Sequence, residues 1–137
     1  MKLSFEIGKL YNRREDIHKN YGGQQQSGII TPQKHPLIFL ITSTNGKKHG
    51  YHDYWENEIF HYYGEGQTGD MTLTRGNKAI AEHEKNKKTL LLFKTEGENL
   101  IFEGKFTYVN HRTEFKSDDI NKDGRNVIIF ALKSVEM

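Results

Sequence analysis

The chain has 137 residues, 34% hydrophobic and 28% charged, with a formal net charge of +2 and no cysteine. That length fits one domain whose core is drawn from a few dense apolar segments. The missing cysteines exclude a disulfide framework and any thiolate metal site and agree with a reducing compartment. The mildly basic balance permits nucleic-acid binding without announcing it. The N-terminus has neither the apolar run nor the small-residue cleavage site of a signal peptide. Apolar runs such as Leu37–Ile41 fall far short of the ~20 residues a membrane helix needs. A soluble, cytoplasmic protein with no membrane partner is expected. The sequence stops at Met137, soon after a strong strand, so it reads either as complete or as the first domain of a longer protein.

In chain order, Leu10–Asn20 has apolar residues at roughly helical spacing, and Tyr21-Gly22-Gly23 stops the helix. Gly22–Gly28 is a polar loop, either a linker or an arm reaching a ligand through backbone and amide groups. Pro36–Ser43 reads as a strand buried on both faces, and Thr44–Lys48 carries an Asn-Gly turn signal. Trp55–Tyr63 reads as the next strand, with Phe60 and Tyr62 on one face and Ile59, His61 and Tyr63 on the other. A glycine-rich loop, Gly64–Gly69, follows. Arg75–Lys87 reads as a second helix. Thr89–Thr95, Asn99–His111 and Asn126–Lys133 close the chain as strands, with a hairpin turn at Glu96–Asn99 and a bulge or bend at Gly104. Many strands and few helices predict an α+β class: a strongly bent sheet or small open β-barrel with helices packed outside.

Several chemistry-bearing patterns fail on their spacing. Asp119–Gly124 begins like a calcium loop, but the twelfth position falls on Phe130 within a strand. The stretch therefore reads as an exposed turn. Gly64–Gly69 has the spacing of a phosphate loop without the surrounding βαβ unit. His49, His52, His61 and Asp53 lie close in sequence but lack a recognised metal-ligand spacing. There is no Gly-x-Ser-x-Gly nucleophile turn. What remains is the segment Gly50–His83, which holds the only Trp, four of the seven Tyr and five of the thirteen Gly. The plain interpretation is a strand pair with aromatics in the core. The alternative is a pocket for a flat, polar ligand. Tyrosine faces sandwich a base, a carboxylate accepts from an exocyclic amino group, and glycines allow close backbone approach.

Three stretches carry a resemblance: Gly50–Trp55, Phe60–Asp70 and Gly76–Ile80. They resemble the SRA (SET and RING associated, or YDG) domain, and more closely the SRA-like modules joined to HNH nucleases in bacterial modification-dependent endonucleases. Arg14–Gln24 and Arg125–Leu132 extend the likeness over nearly the whole chain. The resemblance implies a PUA-like bent barrel spanning residues 1–137 as a single reader domain. It implies recognition of a 5-modified cytosine (methyl or hydroxymethyl) in double-stranded DNA by flipping the base into an aromatic pocket. The domain itself would be non-catalytic and without cofactor, and would deliver an HNH nuclease in the same chain or in a partner. Position by position, Asp53 matches the aspartate that reads the base edge and Tyr62 the tyrosine before the glycine-rich turn. Tyr51 is the second wall, with Trp55 beside it, while Gly64 and Gly66 admit the ligand. Arg75, Asn77, Lys78, Arg13, Arg14, Tyr21, Gln24 and Gln67 are the expected DNA-contacting set. The long finger of the eukaryotic domains is absent between Thr68 and Gly76, so no preference for hemimethylated sites is inherited. Gln67 and the Tyr21–Gln26 loop are the candidates to fill the gap left by the flipped base. The rival readings are a PUA- or YTH-type RNA reader, a small metal-dependent hydrolase built on His52, His61 and Asp53, and an interaction module with no nucleic-acid role.

Overall fold

The computed structural model describes residues 4–43 and 52–136. Eight strands are present among them: β1 (Leu10–Tyr11), β2 (Ile29–Ile30), β3 (Leu37–Thr42), β4 (Tyr54–Glu56), β5 (Ile59–Tyr63), β6 (Thr89–Glu96), β7 (Asn99–Lys116) and β8 (Arg125–Val135). They form one sheet in the order β2-β3-β6-β7-β8-β5-β4, with β1 also paired to β7. Two short helical segments accompany it. In α1 a π-helical turn, Arg13–His18, runs into an α-helical turn, Lys19–Tyr21, and α2 is Arg75–Ala81.

The parallel pair β3–β6 lies at the centre of the apolar mass. Ile38, Leu40, Leu90 and Leu92 face one cluster, with Phe60, Phe106 and Phe130. Leu37, Phe39, Leu91 and Phe93 face the other, with Phe5, Ile17 and Phe102. A strand buried on both faces needs a continuous apolar run, which is what Leu37–Ile41 and Leu90–Phe93 supply. The sheet bends along β7. Gly104 sits at φ +127°, beside a register shift opposite Leu92/Phe93, and a second shift falls between Tyr108 and Asn110. Each bulge adds a residue to one strand and sharpens the local twist.

The bend brings the two ends of the sheet face to face without closing it by a ladder. The Tyr62 hydroxyl, on β5, donates toward the carbonyls of Gly28 (3.0 Å) and Ile41 (3.1 Å) at the β2–β3 end. Beside it, Thr42 at the end of β3 donates to the Asp53 carboxylate at 2.6 Å.

Some expectations need correction. Trp55–Tyr63 is a hairpin rather than one strand. Asn57 (φ +52°) and Glu58 (φ +67°) form a two-residue turn with both residues in the left-handed region, the geometry that matches strand twist. The first helix starts later than expected, because Leu10–Tyr11 pairs with β7 instead. The second stops at Ala81, short of Lys87. The turn expected at Thr44–Lys48 lies outside the described residues. Among the described residues, no helix is long and apolar enough to cross a membrane.

Candidate modified-base pocket

A cavity of about 900 Å³ opens where the two ends of the sheet meet. Its walls are the polar stretch Gln24–Ile29, the end of β5 running into Gly64–Thr68, and the segment leading to α2, with Asp53, Asn77 and Arg125 also lining it.

Asp53 is held in one orientation. One carboxylate oxygen accepts from the Thr42 hydroxyl, and the other accepts from the Tyr63 backbone N–H at 2.8 Å. These two bonds fix the orientation of the carboxylate at the cavity wall. Tyr62 is 3% exposed. Burial, with Asp53 nearby as the next cause, pushes its phenol well above the ordinary value. The hydroxyl therefore stays protonated and keeps donating across the sheet ends.

The glycine-rich wall is set by close approach. A Cβ on Gly64 would lie 2.8 Å from the Asn77 side-chain oxygen. Gly66, at φ +132°, is in a conformation that other residues rarely adopt. Asn77, 2% exposed, accepts from the Glu65 N–H at 2.8 Å and donates to the carbonyls of Glu65 and Thr72, both at 3.0 Å. Its amide thus ties the loop to the first turn of α2. The Glu65 carboxylate accepts from the Gly76 N–H (3.0 Å) and the Ser27 hydroxyl (3.1 Å), joining three walls.

The remaining expected site residues divide. Gln24, Gln67 and Arg75 line the cavity, and all three are exposed. Arg75 holds a left-handed φ of +48° at the start of α2. Lys78 and Arg14 are exposed outside this cavity. Arg13 is drawn inward: its guanidinium donates to His18 Nε2 at 2.8 Å and to the carbonyls of Ser27 (2.6 Å) and Gln24 (3.1 Å). It supports the Gln24–Ser27 wall from behind, and burial lowers its pKa. Tyr21 packs in the second core cluster against Phe5, His35 and Phe39, away from the cavity. Trp55 also fails to join the pocket. It is 51% exposed, with its ring on Phe60 and Phe106, because β4 is the sheet's outer strand. Tyr51 lies outside the described residues.

His61 and Asp53 do not form a metal centre. His61 is stacked on Tyr54 at 4.5 Å and bonded to Arg112 at 3.0 Å. Burial and the Arg112 charge depress its pKa. No group of three or more metal-ligating side chains occurs among the described residues.

The sequence reading missed one part of the site. The Asp119–Gly124 stretch is more than an exposed turn, because Asn121 is 9% exposed and reaches under the glycine-rich loop. It accepts from the Gly69 N–H at 2.8 Å and donates to the Gln67 carbonyl at 2.9 Å. Arg125, 2% exposed, donates to the Gly66 carbonyl at 2.6 Å.

Comparison with known proteins agrees with this fold. The model of one protein family, described as "ScoMcrA-like, SRA domain", matches residues 7–137. Among solved structures, the sulfur binding domain and SRA domain of ScoMcrA complexed with phosphorothioated DNA superposes with a TM-score of 0.77 at 24% identity, covering 98% of this chain and 41% of that one. The type IV phosphorothioation-dependent restriction endonuclease ScoMcrA gives 0.73 at 23% identity, covering 98% of this chain and 29% of that one. The SUVH5 SRA domain bound to fully hydroxymethylated CG DNA gives 0.72 at 20% identity, covering 98% of this chain and 91% of that one. At these identities the likeness shows the fold, a mostly stranded, unclosed sheet with two short helices. This chain spans well under half of either ScoMcrA chain. No curated protein sequence matches.

Proposed function

This chain belongs to the family of ScoMcrA-like SRA domains, and on that premise we propose that it reads modified double-stranded DNA. The base read is a 5-modified cytosine, methyl or hydroxymethyl, turned out of the duplex into the cavity between the sheet ends. One observation carries the reading: the Asp53 carboxylate, fixed by Thr42 and the Tyr63 N–H, lines a cavity that Tyr62 also lines. An oriented acceptor beside an aromatic residue suits the amino edge of a cytosine. Tyr51 is the second stacking wall. Extrusion costs a few kcal/mol, offset by stacking worth ~1–3 kcal/mol per base and by phosphate contacts from Arg75, Arg14 and Lys78. The domain carries no catalysis of its own and targets an HNH nuclease domain, in the same chain or in a partner, to modified DNA.

The test is a binding titration at one salt concentration on a single duplex carrying cytosine, 5-methylcytosine, 5-hydroxymethylcytosine or N6-methyladenine, with an RNA duplex of the same sequence as competitor. The reading requires at least about a tenfold preference, ~1.4 kcal/mol, for a modified cytosine. Equal weak binding to all four DNA duplexes overturns it, and stronger binding to the RNA replaces it with an RNA reader.

A further inference from the structure

Resting on that reading, we propose that Asn121, Asp118 and Arg125 are positioning residues for base selection. They latch the Gly66–Gly69 turn, which forms one wall of the pocket.

The turn is built on glycines at both ends. Gly66 and Gly69 both have positive φ, at +132° and +72°, and a Cβ built on Gly69 would meet nothing within 4 Å. Packing therefore does not fix the Gly69 end, although Met71 lies 3.3 Å from a Cβ built on Gly66, and glycines lose the most backbone freedom on ordering. Hydrogen bonds from the far end of the chain supply the order. Asn121 takes both the Gly69 N–H and the Gln67 carbonyl. Arg125 Nη1 takes the Gly66 carbonyl at 2.6 Å and the Gly69 carbonyl at 3.3 Å. Asp118 organises the pair from below. Its carboxylate accepts from the Asn121 N–H at 2.7 Å and side-chain amide at 3.1 Å, and stands 3.6 Å from Arg125 Nε.

The Arg125 and Asp118 side chains are 1% and 0% exposed. Burying a charge pair costs desolvation that an apolar pair avoids, and is justified best where it fixes one arrangement among several. These bonds end on Gly66, Gln67 and Gly69, which lie on or beside the pocket wall. The latch thus sets how far that wall stands from Asp53, and with it which base fits.

The test compares wild type, Asn121→Ala and Arg125→Lys, after thermal melting confirms that each is folded. Affinity is measured on the cytosine, 5-methylcytosine and 5-hydroxymethylcytosine duplexes, and hydrogen exchange is followed at the Gly69 amide. The latch predicts that both variants lose about tenfold or more of the modified-base preference, the ratio of modified to unmodified affinity. Asn121→Ala also speeds exchange at Gly69 while the β6–β8 amides keep theirs. Arg125→Lys is the milder lesion, because the ammonium keeps the charge opposite Asp118 but cannot reproduce the guanidinium fork. A preserved preference in both variants overturns the proposal, as does an equal loss on all three duplexes. If wild type itself shows no preference, the functional reading has failed, and unchanged Gly69 exchange in Asn121→Ala then overturns the latch separately.

Discussion

Replacing Asp53 with asparagine separates the chemistry of the pocket from its architecture. In the native protein one oxygen accepts from the Thr42 hydroxyl and the other from the Tyr63 N–H. An asparagine reproduces both contacts: its oxygen accepts from Tyr63 N–H, and its amide donates to the Thr42 oxygen after the hydroxyl rotates. The fold should survive, with the melting temperature lowered by only a few degrees. On the proposed reading, the change removes the charged acceptor for the base edge. A hydrogen bond to a charged group is worth roughly 1.5–3 kcal/mol. Affinity for the modified duplex should fall roughly 10- to 150-fold. Binding to the unmodified duplex, carried by phosphate contacts, should hold within about twofold and keep its salt slope. Fluorescence anisotropy on the matched duplexes reads both affinities. If Asp53→Asn is folded and retains the full modified-base preference, Asp53 does not read the base edge.

Tyr62→Phe keeps the ring but removes the donor that joins the sheet ends. Urea unfolding should show a loss of about 1 kcal/mol with an unchanged m-value, while modified-base preference persists. The same residue sets an alkaline limit. Its folded pKa is raised above the unfolded value, so its contribution is complete below about pH 10 and declines as pH climbs through the folded pKa. Tyr62→Phe should flatten the stability profile above that pH, and identical profiles would contradict the assignment. Gly64→Ala forces a Cβ to 2.8 Å from Asn77. It should cost about 1–3 kcal/mol as an overpacking change and weaken modified-base binding. Trp55→Ala should lower stability modestly, through lost contact with Phe60 and Phe106, and leave base preference unchanged.

The parts of the fold legible in the sequence are those whose signal is local. Leu37–Ile41 and Leu90–Phe93 announce strands buried on both faces, because each carries its own apolar density. Gly97 and Gly104 mark a turn and a bend where a positive φ is required. Tyr62, Gly64 and Gly66 belong to a short motif, and Asp53 sits a fixed distance before it on the same hairpin. The Asn57-Glu58 turn was hidden, since it takes positive φ without a glycine. The two-residue strands β1 and β2 are too short to show periodicity. Trp55 looked like a pocket residue because alternation places it among the aromatics, but the sequence does not reveal that β4 is the outermost strand. The latch was the least visible part. Asn121 and Arg125 are separated from Gly69 and Gly66 by 52 and 59 positions, and a polar stretch rich in Asp and Asn reads locally as solvent-facing. Only the bend of β7–β8 brings that stretch beneath the glycine-rich turn.

The central claim is that the base leaves the stack, and a fluorescent base reports this directly. With 2-aminopurine placed beside a 5-methylcytosine or 5-hydroxymethylcytosine in an otherwise identical duplex, flipping removes the neighbour that quenches it. Fluorescence should rise on saturation with protein for the modified duplex that binds more tightly. It should stay low for the unmodified duplex at equal occupancy and for Asp53→Asn at the same protein concentration. Saturable, modification-selective binding with no change in 2-aminopurine emission would mean that the modification is read within the stacked duplex, and the pocket account would be wrong.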